Sequence, residues 1–257
     1  MTAPPTRYDH VVWIVMENHS YEQIIGASDA PYINQLAAQH GLASNFYAES
    51  HPSLPNYIAM TSGSTQGIGD DDPPSAHPLD VPSIFSLLPG GGSRSLEESM
   101  PSNCLHADSG EYAVRHNPQA YYVNLAGECD RYNVPLSDAP DLSARFTFVT
   151  PNLIHDMHDG TVADGDSWLS SFVPKLLLSD EYATGAMAVF LTWDEDDDLS
   201  GNHIPTLVIA PSVAPGTTVS DRLDHFSMLR ATQEMLGVAP LLGGAATAAE
   251  MRAPFNL

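Results

Sequence analysis

Long apolar runs that end in polar loops are the main pattern along this chain. The first run is His10–Met16, which stops at Glu17-Asn18, and similar runs follow at Arg145–Pro151 and Met187–Trp193. Apolar runs without alternation are typical of strands that are buried on both faces of a sheet. The sequence therefore predicts three buried strands, each followed directly by polar side chains.

Helical patterns alternate with these strands. Helices are predicted at Tyr32–His40, Ser167–Leu178 and Asp224–Leu236, and two further strands at Leu42–Tyr47 and Ile204–Ala210. Alternation of strands and helices is typical of parallel sheets. We therefore expect an α/β fold in which a mostly parallel central sheet carries helices on both faces.

The segment from about residue 64 to residue 140 breaks this regular pattern. Clusters of Asp, Pro and Gly interrupt it, and it contains short predicted helices at Val81–Leu88 and Glu111–His116 and a candidate strand at Ser93–Ser99. At this chain length we expect one domain over residues 1–257. The irregular segment is then expected to cover one edge of the sheet and to shape a pocket there.

The charge balance restricts the partners of the protein. Thirty-two acidic residues stand against nine Lys and Arg, and the formal net charge is −23. Such a surface repels nucleic acids and anionic membranes, and no apolar run approaches the roughly 20 residues of a membrane span. We therefore expect no nucleic-acid partner and no stable membrane insertion. An anionic substrate would have to be neutralised by bound metal and by some of the 11 histidines.

Cys104 and Cys129 are the only cysteines, and the segment between them has little regular pattern. We expect a disulfide, which would stabilise the fold by ~3 kcal/mol on the loop-entropy model and indicate an oxidising compartment; two buried free thiols are the alternative. Met1–Arg7 lacks the basic and apolar regions of a signal peptide. We therefore expect a processed, secreted or extracytoplasmic form, with a cytoplasmic location as the alternative. No pattern indicates an oligomeric state.

Ser53 is the candidate nucleophile. Pro52 and Pro55 stiffen the backbone around it at the entry to a helix predicted over Asn56–Ser62, and the N–H groups of the first helical turn would face an incoming anion. Serine is also a common helix-capping residue. A hydroxyl needs an adjacent base or a metal before it becomes a good nucleophile, so the assignment depends on the groups that lie next to it.

Polar clusters from three strands are expected to meet near Ser53. Glu17-Asn18, His155–Asp159 and Asp194-Glu195 each follow a buried strand, and the carboxyl ends of parallel strands share one edge of a sheet. Carboxylates brought together there would repel one another without a cation. We therefore expect a metal site at this edge, whereas the acidic run Asp196–Asp198 is interpreted as a solvated turn.

Five segments carry a resemblance to a known family, and they occur in the family's order: His10–Ser20, His51–Tyr57, Asn152–Gly160, Thr192–Thr206 and Asp224–Arg230. Together they resemble the bacterial phosphoesterase family of acid phosphatases and phospholipases C, a branch of the alkaline phosphatase superfamily. The resemblance implies an alkaline-phosphatase-like core. It also implies a divalent metal (Ca²⁺, Mg²⁺, Mn²⁺ or Zn²⁺), with one or two ions in each active site.

The resemblance further implies roles for individual residues. Ser53 would be the residue that is phosphorylated in turn, and the remaining roles fall to residues that flank it or come after the buried strands. These are Glu17, Asn18, Asp194 and Glu195 as metal ligands, Asp156, His158 and His203 as catalytic residues, and Asn56 and His51 as substrate-binding residues. His155 is interpreted as a loop histidine. His225 is either a residue of the site or an ordinary helix-capping residue.

The expected function is that of a metal-dependent phosphomonoesterase, acid-phosphatase-like, which acts on a small phosphate ester through phosphoserine. The alternatives are a phospholipase C or another phosphodiesterase and, from a different class, a non-catalytic calcium-binding secreted protein. Sulfate ester hydrolysis is disfavoured because Tyr57 stands where sulfatases of the superfamily carry the arginine needed to make their formylglycine.

Overall fold

A nine-stranded sheet forms the centre of the computed structural model, which describes residues 2–125 and 127–257. The strands lie in the order β4-β3-β5-β1-β6-β7-β2-β8, and β9 pairs with β2. Their bounds are β1 (His10–Met16), β2 (Gly41–Tyr47), β3 (Ser93–Glu97), β4 (Asn133–Pro135), β5 (Phe146–Thr150), β6 (Met187–Trp193), β7 (His203–Ile209), β8 (Thr217–Val219) and β9 (Leu223–Asp224).

Helices pack around this sheet. The α-helices are α1 (Tyr21–Ile24), α2 (Pro31–Gln39), α3 (Ser53–Ser62), α4 (Ile84–Leu87), α5 (Glu128–Tyr132), α6 (Val162–Leu177), α7 (Asp180–Ala183), α8 (His225–Leu236) and α9 (Arg252–Phe255). Short 3-10 turns occupy Val114–His116, Pro118–Tyr121, Val123–Leu125 and Gly243–Ala246. In the part of the chain that the structure describes, none of the helices has the length and apolar character needed to cross a bilayer.

The predicted α/β fold with a mostly parallel sheet is confirmed. β1 pairs in parallel with β5 on one side and with β6 on the other, and β3 pairs in parallel with β5 and β4. β7 is antiparallel to both β6 and β2. Because β1, β5 and β6 run in the same direction, the polar residues after them lie at one edge of the sheet, as the sequence predicted.

The core is built on β1. Its residues from Val11 to Met16 are at most 1% exposed. The Trp13 indole packs edge-on against Phe146 of β5, with ring centroids 4.8 Å apart, and its Nε1 donates to Thr232 Oγ1 of α8 at 3.0 Å. A strand packed this tightly fixes the position of the next residue, which is Glu17.

Several element boundaries differ from the sequence predictions. Helix α3 begins at Ser53, with Pro52 at its N-cap, so Ser53 is the first helical residue and does not precede the helix. Helix α6 begins at Val162 because Thr161 and Asp164 form a capping box ahead of it. Only residues 114–116 of the helix predicted over Glu111–His116 form a helical turn.

The predicted irregular segment also contributes strands. β3 lies where a strand was expected, whereas β4 was not predicted; the two strands extend the parallel sheet beyond β5. The predicted disulfide is confirmed: Cys104 and Cys129 are bonded, which ties the loop after β3 to helix α5. Strand β4 is thus held by its pairing with β3, and helix α5 is held by the disulfide.

Reduction of the disulfide is expected to lower the free energy of unfolding by about 3 kcal/mol, because the bond closes a loop of 25 residues in the unfolded chain. Denaturant unfolding with and without a phosphine reductant measures this difference. A Cys104→Ser/Cys129→Ser variant is the control, and its midpoint should not respond to the reductant. Rapid alkylation of both thiols in the native, unreduced protein would contradict the prediction.

Candidate active site

Ser53 lies between two carboxylates that come from different strands. Its Oγ is 3.1 Å from Glu17 Oε2, just after β1, and 3.2 Å from Glu195 Oε1, beyond the end of β6. All three residues are at most 4% exposed. A hydroxyl has one proton to donate, so one of these carboxylates accepts it while the other faces an oxygen lone pair. The structure thus brings the predicted nucleophile into contact with two of the predicted metal ligands.

Asn18 and Asp194 complete this group, which we call the acidic cluster: Glu17, Asn18, Asp194 and Glu195. The Asn18 backbone has φ of 42°, a left-handed conformation that asparagine adopts more readily than most residues, and its N–H lies 3.3 Å from Asp194 Oδ1. One terminal amide atom of Asn18 lies 2.6 Å from Glu17 Oε2 and 3.1 Å from Asp194 Oδ1. An NH₂ group at this position donates to both carboxylates.

The acidic cluster has the properties of a site for a hard divalent cation. If the Asn18 amide is turned so that its oxygen faces the carboxylates, that oxygen lies 2.6 Å from Glu17 Oε2 and 3.1 Å from Asp194 Oδ1, and closely spaced oxygens are the donors that such cations prefer. Asp194 Oδ2 is buried without a hydrogen-bond partner. The residues present therefore fit a metal ion.

Electrostatics lead to the same conclusion. Burial, reinforced by the neighbouring carboxylates, raises the pKa of Glu17, and burial likewise raises the pKa of Asp194, Glu195 and Asp156. Among the described residues, the ion-pair partners of Glu17 and Glu195 are the histidines His116 and His51. Because no lysine or arginine pairs with these two carboxylates in the described ranges, a bound cation is the natural source of neutralising charge.

His116 joins the acidic cluster to Asp156, and the sequence did not single it out. Its Nε2 lies 3.4 Å from Glu17 Oε1 and its Nδ1 lies 3.3 Å from Asp156 Oδ2. The ring stacks on Tyr57 at 5.3 Å, and burial lowers the pKa of His116. A buried neutral imidazole between two acidic oxygens is suited to bind a metal ion or to transfer a proton.

His158 lies on the same side of the site as His116. Its Nδ1 is 2.7 Å from Asp159 Oδ1, and its Nε2 is 3.2 Å from Nη2 of Arg115. Donor atoms of His158, His116 and Glu17 all lie within 4.8 Å of one another, close enough to hold a second metal ion. The predicted pair Asp156 and His158 is therefore next to the acidic cluster, with Arg115 as an additional and unpredicted cation.

Tyr57 is a second residue whose place in the site the sequence did not indicate. Its hydroxyl donates to Glu17 Oε1, and burial raises its pKa. Tyr57 lies one helical turn after Ser53 on α3, so the same helix that presents the serine also holds Glu17. This hydrogen bond leaves Glu17 Oε2 to face Ser53 and Asn18.

Asn56 and His51, predicted to bind substrate, contact the protein itself. Asn56 Oδ1 accepts from the N–H groups of Glu49 and Ser50 at 3.0 and 2.9 Å, which fixes the turn ahead of Ser53. His51 Nδ1 lies 2.6 Å from Glu195 Oε2. In this arrangement Asn56 holds the nucleophile turn and His51 holds Glu195.

His203 does not contact the acidic cluster. Its ring lies between Tyr21 and Tyr47, at centroid distances of 4.7 and 5.2 Å. Its nitrogens face the Ser44 carbonyl at 3.1 Å and Glu22 at 3.4 Å. The structure thus places His203 at the expected edge of the sheet but in a different polar environment, and its catalytic role stays a prediction.

Two other histidines have structural contacts. His225, the first residue of α8, bonds through Nε2 to the Trp193 carbonyl at 3.0 Å, and burial lowers its pKa to about 4. His155 Nδ1 lies 2.9 Å from Glu98 Oε2. His225 thus contacts the last residue of β6, directly before Asp194, and helps to fix the position of the acidic cluster.

The interpretation of Asp196 as part of a solvated turn is wrong. The residue is 1% exposed, and its carboxylate accepts from the backbone N–H groups of Asp198, Ser200 and Asn202, each at 2.8 Å. Asp196 therefore closes the loop that comes after Glu195. Local charge density could not reveal this, because the partners are backbone groups brought close by the fold of the loop.

Comparison with known proteins gives consistent results. The Phosphoesterase family profile matches residues 27–239. A phosphatidylinositol-3-phosphatase from Mycobacterium tuberculosis is 34% identical over 245 residues, which cover 92% of this chain and 79% of that protein. An acid phosphatase from Aspergillus fumigatus is 28% identical over 257 residues, covering 90% of this chain and 55% of that enzyme, so the chain spans about half the length of this relative.

The fold is shared more widely than the sequence. A protein in the alkaline phosphatase superfamily from Vibrio parahaemolyticus superposes with a TM-score of 0.63 at 14% identity, over 98% of this chain and 74% of that chain. At this identity the likeness concerns the fold alone. It agrees with the alkaline-phosphatase-like core that the sequence resemblance implied.

Proposed function

Because the chain belongs to the Phosphoesterase family of hydrolases, we propose that it is a metal-dependent phosphomonoesterase that works through phosphoserine at Ser53. The single observation that carries this proposal is the position of Ser53 Oγ, 3.1 and 3.2 Å from two buried carboxylates at the ends of separate strands. The names of its relatives, a phosphatidylinositol-3-phosphatase and an acid phosphatase, support phosphatase chemistry.

The metal would be held by the acidic cluster, with His116 and His158 available for a second ion. When bound, a divalent cation lowers the pKa of a nearby hydroxyl and offsets charge on phosphoryl oxygens. The oxygen-rich cluster favours Mg²⁺, Mn²⁺ or Ca²⁺, whereas the two histidines favour Zn²⁺ or Mn²⁺.

The residues of the chain itself perform the remaining steps. Ser53 gives its proton to one of the two carboxylates that its hydroxyl faces, and its Oγ forms a bond to phosphorus as the bond to the leaving alkoxide breaks. His158 and Arg115 stabilise the phosphoryl oxygens, and a histidine donates the proton that the alkoxide needs. Water then attacks phosphoserine, releasing phosphate and restoring the Ser53 hydroxyl.

We also propose an oxidising, extracytoplasmic location. The observation in support is the Cys104–Cys129 disulfide, since such bonds persist mainly outside the reducing cytosol. The acidic surface, with a net charge of −23, suits such an environment.

The proposed function predicts that the protein hydrolyses p-nitrophenyl phosphate in preference to bis-p-nitrophenyl phosphate. Activity should be lost after chelation and restored by one or more of Mg²⁺, Mn²⁺, Ca²⁺ and Zn²⁺. Parallel initial rates on the two substrates across this panel of ions test it. Faster turnover of the diester would identify a phosphodiesterase instead. Thermal stabilisation by Ca²⁺ without turnover of either ester would identify a non-catalytic calcium-binding protein.

A further inference from the structure

Asp71 occupies the amino-terminal end of helix α3, beside the nucleophile. Four N–H groups at the start of a helix normally lack partners within it. Here Pro52 and Pro55 have no N–H, so only Ser53 and Leu54 can donate at this end. The Leu54 N–H donates to Asp71 Oδ1 at 2.9 Å. One of the two backbone donors available to an anion beside Ser53 is therefore taken by a side-chain carboxylate.

The same carboxylate also faces the arginine of the site. Arg115 Nε lies 4.0 Å from Asp71 Oδ2, and the side chains of Arg115 and Asp71 are 19% and 35% exposed. Arg115 in turn contacts His158 through Nη2 at 3.2 Å. A helix N-terminus and a guanidinium are both groups that bind phosphoryl oxygens. In this structure both are directed at Asp71.

Asp71 adds negative charge where the site already has an excess of it. It is one of the charges that raise the pKa of Asp194 and Glu195. The groups that contact it are the Leu54 N–H at 2.9 Å and Arg115 at 4.0 Å. The Tyr121 hydroxyl holds the adjacent backbone by donating to the Asp72 carbonyl at 3.1 Å, so the carboxylate is presented by an anchored loop.

We propose that Asp71 is a specificity-determining residue: it stands where phosphoryl oxygens of the substrate bind, and it competes with them for Leu54 N–H and Arg115. This inference rests on the proposed function. Substrate must displace the Asp71 carboxylate, and the electrostatic repulsion between this carboxylate and the incoming group rises with the negative charge of that group. Asp71 therefore weakens the binding of dianionic phosphate monoesters and of the product phosphate more than the binding of monoanionic diesters.

Asp71→Asn tests this inference, because asparagine keeps an oxygen to accept from Leu54 and removes only the charge. In the metal-loaded enzyme at neutral pH, the inhibition constant of inorganic phosphate should fall about tenfold. The KM for p-nitrophenyl phosphate should fall with it, while kcat and the KM for bis-p-nitrophenyl phosphate change less. Asp71→Ser, which also lacks the charge, should behave in the same way.

Asp70→Asn is the matched control. Asp70 is the neighbouring carboxylate and contacts His77 at 2.5 Å instead of the helix end. The same charge is lost, so a general electrostatic effect would appear in both variants, whereas we expect less than about a twofold change in this control. If the inhibition constant of phosphate in Asp71→Asn and Asp71→Ser equals or exceeds the wild-type value, the inference is overturned. The proposed function still holds in that case, provided that the wild type hydrolyses the monoester. Absence of monoester turnover in the metal-loaded wild type would overturn both.

Discussion

Ser53→Ala is expected to reduce the turnover of a phosphate monoester by at least ~1,000-fold, because removal of a catalytic nucleophile leaves only the contributions of binding and electrostatics. The fold should remain intact. The Ser53 hydroxyl donates to one of two carboxylates that repel each other. Its loss should therefore change the free energy of unfolding by no more than about 1 kcal/mol. Measurement of kcat at saturating metal, together with the melting temperature, separates these effects.

Ser50→Ala is the matched control for this variant. Ser50 lies three residues earlier, and its hydroxyl bonds to the His51 carbonyl at 3.1 Å instead of to a carboxylate. Its rate should remain near that of the wild type. Acid quenching during turnover should trap one phosphoryl group on the wild type and on Ser50→Ala, detectable by intact mass, but none on Ser53→Ala. Retention of most of the activity in Ser53→Ala would remove the nucleophile assignment.

Asp194→Asn and Glu17→Gln are expected to lose activity chiefly through lost metal. Each change removes one negative charge but keeps an oxygen that can coordinate, so we expect the apparent metal dissociation constant to rise about 100-fold and excess divalent ion to restore part of the rate. His158→Ala should lose rate even at saturating metal, because we assign it to the phosphoryl oxygens. Metal titrations of activity on all three variants measure this contrast.

Rescue of His158→Ala by metal would change the interpretation. His158, His116 and Glu17 have donor atoms within 4.8 Å of one another, so this outcome would identify them as a second metal site and the enzyme as a two-metal phosphatase. An Asp194→Asn variant that no divalent ion rescues, yet that binds metal like the wild type by calorimetry, would contradict the assignment of Asp194 as a ligand.

Stability provides an independent measurement of the same site. The pKa of Glu17 and of Asp194 is raised in the folded protein by burial, so without metal the folded state favours their protonated forms. The stability that this provides is present below the ordinary carboxyl pKa and is lost as pH rises through the raised values. A bound cation should reverse the loss, so metal should raise the melting temperature more at pH 8 than at pH 5.

The sequence was sufficient to predict the central strands and the polar residues directly after them. The runs His10–Met16 and Met187–Trp193 match β1 and β6 residue for residue, because a strand buried on both faces needs an unbroken apolar run. Parallel pairing then places their carboxyl ends together, so the convergence of Glu17 and Asp194 could be predicted without coordinates. Ser53 was recognised from the two prolines around it, which is also local information.

Only the tertiary structure placed the remaining residues of the site. His116 and Arg115 lie on a 3-10 turn in an irregular segment, where no periodicity indicates which side chains point inward. The available signal was compositional: an Arg-His pair stands out in a chain with only nine Lys and Arg. Their contacts with Asp156 and His158 join segments about 40 residues apart, and such contacts depend on packing between elements rather than on local sequence.

Packing between elements also determines the direction and the partners of individual side chains. His203 lies at the expected edge of the sheet, as the first residue of β7, but its ring stacks between two tyrosines instead of contacting the acidic cluster. Asp196 has the same sequence context as its acidic neighbours, yet it is buried because three backbone N–H groups surround its carboxylate. Sequence pattern determined the strands and the residues at their ends, because burial of backbone and apolar side chains imposes a regular period. Tertiary structure decided which polar atoms meet, because hydrogen bonds and charge pairs join residues that no period relates.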